Sequence, residues 1–180
     1  RRWTVPAPDA ICASSMSDLS LTILAETPGD EQAIERLHER TFGPGRYALS
    51  AYRLREHVDH LLDLSFTAWI GTLLVGSVRQ LPVCIGDTPA LMLGPLTVEP
   101  PFRSRGVGRA LLDRALADAK KAGHRLVILV GDAPYYSRVG FKAVPKGRAI
   151  MPGPVDYSRL LVAELVDGAR ESTQHRGPVA

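Results

Sequence analysis

Leu93-Gly94-Pro95-Leu96-Thr97-Val98-Glu99-Pro100-Pro101-Phe102-Arg103-Ser104-Arg105-Gly106-Val107-Gly108-Arg109-Ala110-Leu111-Leu112 is the stretch that decides the fold. An apolar strand runs into a turn of the form R-x-x-G-x-G, and the turn opens directly into an amphipathic helix. That order presents a ring of free backbone N–H groups at a helix N-terminus, with arginines beside it. Such a ring is a seat for a pyrophosphate.

Two common tenants of glycine turns are excluded by the residues themselves. A nucleoside-triphosphate loop needs G-x-x-x-x-G-K-[ST], which the chain lacks. A dinucleotide fingerprint needs G-x-G-x-x-G, and Leu111 stands at its third glycine. The acidic residue that fingerprint wants about 20 positions on has only Asp132 to offer, beyond the next strand.

Around this stretch, 180 residues with 45% hydrophobic and 23% charged content describe one globular domain. Residues 1–17 hold Pro6, Pro8 and a Ser-rich run and are expected to be a disordered extension. The domain proper is expected over 18–167, with a frayed tail over 168–180. No apolar run reaches the ~18 residues a membrane span needs, so no membrane partner is expected. The net charge of +3, from 22 basic and 19 acidic residues, is too small to argue for nucleic acid. Cys12 and Cys84 have neither disulfide-framework nor metal-ligand spacing and are expected as reduced thiols in a cytoplasmic protein. His57 and His60 stand three apart without an evident third ligand, so no metal is expected.

The hydrophobic pattern gives the order β-α-α-β-β-β-α-β-α-β-β. A first strand alternates over Leu19–Leu24, and a helix follows from about Glu31 to Thr41, broken at Gly43-Pro44-Gly45. A second helix is expected over Tyr52–Leu62. Phe66–Ile70 and Leu73–Ile85 form a hairpin at Gly71-Thr72, and a fourth strand covers Ala90–Val98. Pro95 cannot donate to a ladder, so Gly94-Pro95 marks a bulge or a break in pairing. The helix from Gly106 to Ala122 puts Leu111, Leu112, Ala115, Leu116 and Ala119 on one face and stops at Gly123. Leu126–Val130 is a strand apolar on both faces. A short helix over Pro134–Val139 follows, then strands near Lys142–Ile150 and Leu160–Val166. The expected class is α+β, with a mixed, mostly antiparallel sheet flanked by helices.

The element order, and the segment from Leu91 to Val144, resemble the GNAT superfamily of acyl-CoA-dependent N-acetyltransferases. One motif block is Leu96-Thr97-Val98 followed by Arg103-Ser104-Arg105-Gly106-Val107-Gly108-Arg109-Ala110. The other is Tyr136-Ser137-Arg138-Val139-Gly140-Phe141, matching Y-x-x-x-G-F. The resemblance implies acetyl-CoA as cosubstrate and strands four and five that part to admit its pantetheine arm. It places Leu96, Thr97 and Val98 on the strand whose backbone pairs with that arm. The turn residues Arg103, Ser104, Arg105, Gly106, Val107, Gly108 and Arg109 would hold the pyrophosphate. Their physics agrees: glycines admit close backbone approach, and arginines supply charge.

The same resemblance makes Tyr136 the general acid for the departing thiolate. A phenol within hydrogen-bond reach can protonate a sulfur whose own free pKa is near 8.5. The acceptor implied is an amine, on a small molecule or a peptide. The competing reading is a non-catalytic acyl-CoA-binding or sensing module, and a homodimer is left open. Two departures stand out. The asparagine many members carry ahead of this tyrosine is missing, with Asp132 expected to cap the short helix instead. Where some members carry a carboxylate base, this chain has Met92. Glu99, Asp132, His57 and water remain open as bases. The acceptor side would be walled by the first two helices with their Gly43-to-Arg55 connection and by the Pro145-to-Pro154 excursion.

Overall fold

The computed structural model describes residues 20–43, 58–151, 155–169 and 177–179. β1 (Leu21–Ala25), β2 (Phe66–Ile70), β3 (Leu73–Ile85) and β4 (Thr88–Val98) run antiparallel, each beside the last. β5 (Leu126–Val130) joins β4 in parallel, as a strand–helix–strand crossover allows. The edge beyond it carries β8 (Leu160–Glu164) and then β6 (Lys142–Ala143), both antiparallel. The sheet order is therefore β1-β2-β3-β4-β5-β8-β6, a mixed and mostly antiparallel sheet.

The helices are α1 (Glu31–Phe42), α2 (Val107–Lys121) and α3 (Ala133–Tyr136), the last prolonged by a 3-10 turn over Ser137–Val139. α2 buries Val107, Leu111, Leu112, Ala115 and Ala119, the i, i+4 stripe its sequence dictates. They pack on Phe66, Ala68, Val78, Leu91 and Leu93 of the sheet. Gly123 ends the helix: its N–H donates to Lys120 O at 3.1 Å, and the His124 N–H donates to Ala119 O at 3.0 Å. These are the paired bonds of a Schellman stop.

Strand alternation sends neighbouring residues to opposite faces. Leu91, Val127 and Leu129 join the core under α2, whereas Met92, Leu126 and Ile128 join a second core with Leu81 and Val162. β4 pairs with β5 only at Leu91↔Val127 and Met92↔Ile128. Beyond that, β4 runs on to Val98 paired with β3 alone. On its β3 side the register slips between Val78 and Gln80, opposite Gly94-Pro95, where the proline called for a break. The parting of β4 from β5 opens the cleft that positions the site.

The structure departs from expectation in four places. Residues 52–57 of the expected second helix lie outside the described residues; Asp59–Leu61 are not helical, and Leu62–Leu64 form a 3-10 turn. The strand expected over Lys142–Ile150 is split, because Pro145 begins a turn closed by the Arg148 N–H donating to Pro145 O at 3.1 Å. Its first piece is β6, and its second is β7 (Ala149–Ile150). β7 pairs in parallel with β9 (Gly177–Pro178), inside the segment expected to fray. Val179 then donates to Ile150 O at 2.7 Å and is 2% exposed in the second core. Burial of that valine outweighs the entropy of a free end. Asp132, finally, makes no side-chain cap bond to α3; its carbonyl receives the Tyr135 and Tyr136 N–H groups instead, at 3.0 and 3.1 Å.

Candidate active site

The turn between β4 and α2 is bent by backbone that few side chains tolerate. Ser104 has φ 60° and Gly106 φ 84°, both in the left-handed region. The first intrahelical bond of α2 runs from the Ala110 N–H to Gly106 O, at 2.9 Å. The N–H groups of Val107, Gly108 and Arg109 thus precede any intrahelical acceptor and lie at the positive end of the helix dipole. The three arginines flank this ring. Arg103 Nε donates to Val98 O at 3.3 Å, and the Arg105 guanidinium lies 5.6 Å above the Phe102 ring. Arg109 donates through Nε to both oxygens of Asp113, at 2.8 Å, and through Nη1 to Arg138 O at 3.3 Å.

Leu96 and Val98 reach the same place from β4. A Cβ built on Gly108 would lie 3.5 Å from Val98 Cγ2 and 3.8 Å from Leu96 Cδ2. Thr97, between them, turns to the other face; it is 1% exposed and in register with Ser77. What Thr97 offers the cleft is backbone.

Tyr136 lies at the end of α3, the short helix after β5. Its ring meets Phe141 edge-on, with centroids 5.8 Å apart, and Tyr135 at 5.0 Å and 89°. A Cβ on Gly131 would run into the Tyr136 ring, so that glycine at the end of β5 is the floor on which the ring lies. Burial pushes the Tyr136 hydroxyl well above the usual phenol pKa, and the fields of Tyr135 and Asp132 add to this. The hydroxyl therefore keeps its proton at neutral pH, the form a general acid must start from.

The first turn of α2, the end of β4 that β5 leaves unpaired and the Tyr135–Tyr136 pair thus adjoin around Gly108. Residues 64–143, which run from just before β2 to β6, match the acetyltransferase (GNAT) domain family. That segment is similar to the GNAT acetyltransferases. The uncharacterized N-acetyltransferase YhbS of Escherichia coli K12 is 29% identical over 151 residues, 83% of this chain and 90% of that protein. A crystal structure of E. coli YhbS in complex with CoA has a TM-score of 0.76 at 26% identity, covering 99% of this chain and 92% of that one. A GNAT-family acetyltransferase from Brucella melitensis in complex with acetyl-CoA has a TM-score of 0.65, also at 26% identity, covering 91% and 96%.

Several residues left open by the sequence are committed elsewhere. Glu99 is held by Arg40, whose Nε donates to its carboxylate at 2.8 Å. Asp132 pairs with Arg159 at 3.0 Å on the surface. Met92 is buried in the second core, and His57 lies outside the described residues, as do residues 44–57 and 152–154 of the expected acceptor wall. Glu26, Glu31 and His60 bring donor atoms within 4.8 Å of one another. The cation among them is the Arg79 guanidinium, whose Nη2 donates to Glu26 at 2.6 Å and to Glu31 at 2.7 Å. Among the described residues, no helix is long and apolar enough to cross a membrane.

Proposed function

We infer that the protein moves the acetyl group of acetyl-CoA onto the amino nitrogen of an acceptor, by direct attack in a ternary complex. The observation that carries this is the parting of β4 and β5 beyond Met92 and Ile128, with the 103–106 turn and the α2 N-terminus at its mouth. Backbone N–H and C=O groups of β4 that β5 does not satisfy suit a pantetheine amide chain, because buried backbone groups require partners. The turn suits the pyrophosphate, through the N–H groups of Val107, Gly108 and Arg109.

The amine nitrogen forms a bond to the thioester carbonyl carbon, and the carbon–sulfur bond breaks. Tyr136 gives its hydroxyl proton to the departing sulfur, and the nitrogen sheds a proton to solvent. Solvent is the acceptor favoured here because the carboxylates of Glu99 and Asp132 are each bound to an arginine. The acceptor is an amine of a small molecule or a peptide.

The test has two stages. CoA at saturating concentration should raise the melting temperature; no shift would reject the cleft assignment. Thiol release from acetyl-CoA is then followed across a panel of small amines, amino acids and peptide N-termini. Release that depends on one amine class identifies the acceptor. Release at the same rate with and without every amine would reject direct transfer.

A further inference from the structure

Tyr135 has no part in the scheme above, yet its placement is constrained. The residue is 42% exposed, but its hydroxyl turns inward, onto the first turn of α2. The oxygen lies 2.6 Å from the point that a Cβ on Gly108 would occupy, closer than real side-chain contacts come. Val98 and Leu96 meet at the same point, at 3.5 and 3.8 Å. Three elements thus converge there: the end of β4 that β5 leaves unpaired, the first turn of α2 and the one-turn helix α3. So short a helix cannot hold its own orientation and depends on what it leans against. α3 leans on Phe141 through Tyr136 and on Gly108 through Tyr135.

We propose that Tyr135 is a cofactor-binding residue: seated on Gly108, it forms the wall of the cleft against which the pantetheine arm lies, and Gly108 is glycine in order to seat it. This rests on the acyl-CoA reading given above. A glycine at this point of a phosphate turn is ordinarily explained by the ligand's need to approach the backbone. At Gly108 the space a side chain would need is already filled by a protein atom, the Tyr135 oxygen. Tyr135 also meets Tyr136 edge-on, so the wall and the proton donor move together.

CoA affinity, measured by titration calorimetry on the full chain, tests this without knowledge of the acceptor. Tyr135→Phe keeps the wall and should bind within about threefold of wild type. Tyr135→Ala removes the wall, and Gly108→Ala pushes it off its seat; each should weaken binding by about tenfold, the scale of one lost aromatic packing contact. In the Gly108→Ala/Tyr135→Phe double variant the colliding oxygen is gone, so affinity should return to within about threefold of Tyr135→Phe. Such recovery is the non-additivity expected of two groups in contact.

Melting temperatures taken alongside separate binding from folding. Tyr135 is exposed enough for its alanine variant to fold even where a Gly108 variant does not. Two results would overturn the proposal: Gly108→Ala equally weak with tyrosine or phenylalanine at 135, or Tyr135→Ala as tight as wild type. Failure of the wild-type chain to bind CoA would instead overturn the acyl-CoA reading itself, and this inference with it.

Discussion

The sheet handles charge differently under its two long helices. Under α2 the buried polar side chain is a neutral one, Gln80, whose amide donates to Ala115 O and Leu64 O. Charge there stays at the surface, as in the half-exposed Arg109–Asp113 pair. Under α1 the sheet carries charge into the interior. Glu26 is 4% and Arg79 3% exposed. Arg79 Nε donates to both Glu26 oxygens, at 3.1 and 3.0 Å, and His60 Nε2 lies 3.0 Å from the same carboxylate. The cluster joins the end of β1, the start of α1 and the segment before Leu62 to β3. Its anchor, Arg79, sits where the β3–β4 register slips opposite Gly94-Pro95. On the α2 side, by the function proposed above, β4 presents backbone to a ligand that comes and goes. The α1 side clamps β3 at the level where β4 leaves β5. A cleft made of exposed backbone needs a fixed support, and desolvated charge supplies it, because each partner is costly to leave alone.

The largest effect should come from breaking that support. Arg79→Ala leaves a buried carboxylate without its cation and should cost about 3–5 kcal/mol by urea denaturation. A loss below about 1 kcal/mol, the surface-pair range, would erase the contrast between the two sides. The cluster also sets an acid limit. Burial alone would raise the Glu26 pKa, but hydrogen bonds from His60 and Arg79, with their charges, outweigh it and hold the carboxyl below its usual value of 4.5. A carboxylate depressed in the folded state contributes stability that is complete above the unfolded pKa and lost as pH falls through the folded one. The stability of wild type should therefore drop below about pH 4.5, measured down to about pH 3. Glu26→Gln should begin less stable and show a shallower acid slope; an unchanged slope would remove Glu26 from the account.

On the cleft side the largest effect is chemical. Tyr136→Phe should lower turnover by about 10²-fold while leaving CoA affinity and melting temperature near wild type. Because burial raises the Tyr136 pKa, wild-type turnover should show no alkaline loss from this group below about pH 10. A fall in stability comparable to that of Arg79→Ala would mean that Tyr136 is a packing residue and that the cleft side, too, is held by its interior.

The same contrast explains what could be read before the structure. The β2–β3 hairpin, with its turn at Gly71-Thr72, and the whole of α2 follow from period-2 and period-3.6 patterns, which are local. The break at Gly94-Pro95 follows from a missing donor, also local. The cluster of Glu26 and Arg79 joins residues 53 apart, and no periodicity marks an ion pair. The split at Pro145 left two two-residue strands in different sheets, too short to carry a pattern. Val179 is buried by what it meets, Ile150 and Ile85, and by nothing in its own neighbourhood. The turn and Tyr136 could be singled out because their chemistry is written in consecutive residues. Nothing local marks Tyr135: the vacancy at Gly108 is matched to a hydroxyl 27 positions downstream.

The smallest effect sharpens the comparison most. Arg109 forks onto Asp113 one turn along α2, and both side chains are half exposed. Such a pair stabilises a helix by about 0.3–0.5 kcal/mol, an order below the Arg79 cluster. Asp113→Asn should therefore leave the urea midpoint almost unmoved. Yet the same carboxylate is a negative charge beside an anion seat, and it occupies the guanidinium that could reach a phosphate. Removing it should tighten CoA binding severalfold at low salt, an advantage that shrinks as salt screens exposed charge over about 8 Å at physiological ionic strength. Weaker binding in Asp113→Asn would show that Asp113 holds Arg109 in its working position. The cleft would then depend on charges fixed in place, as the α1 side does.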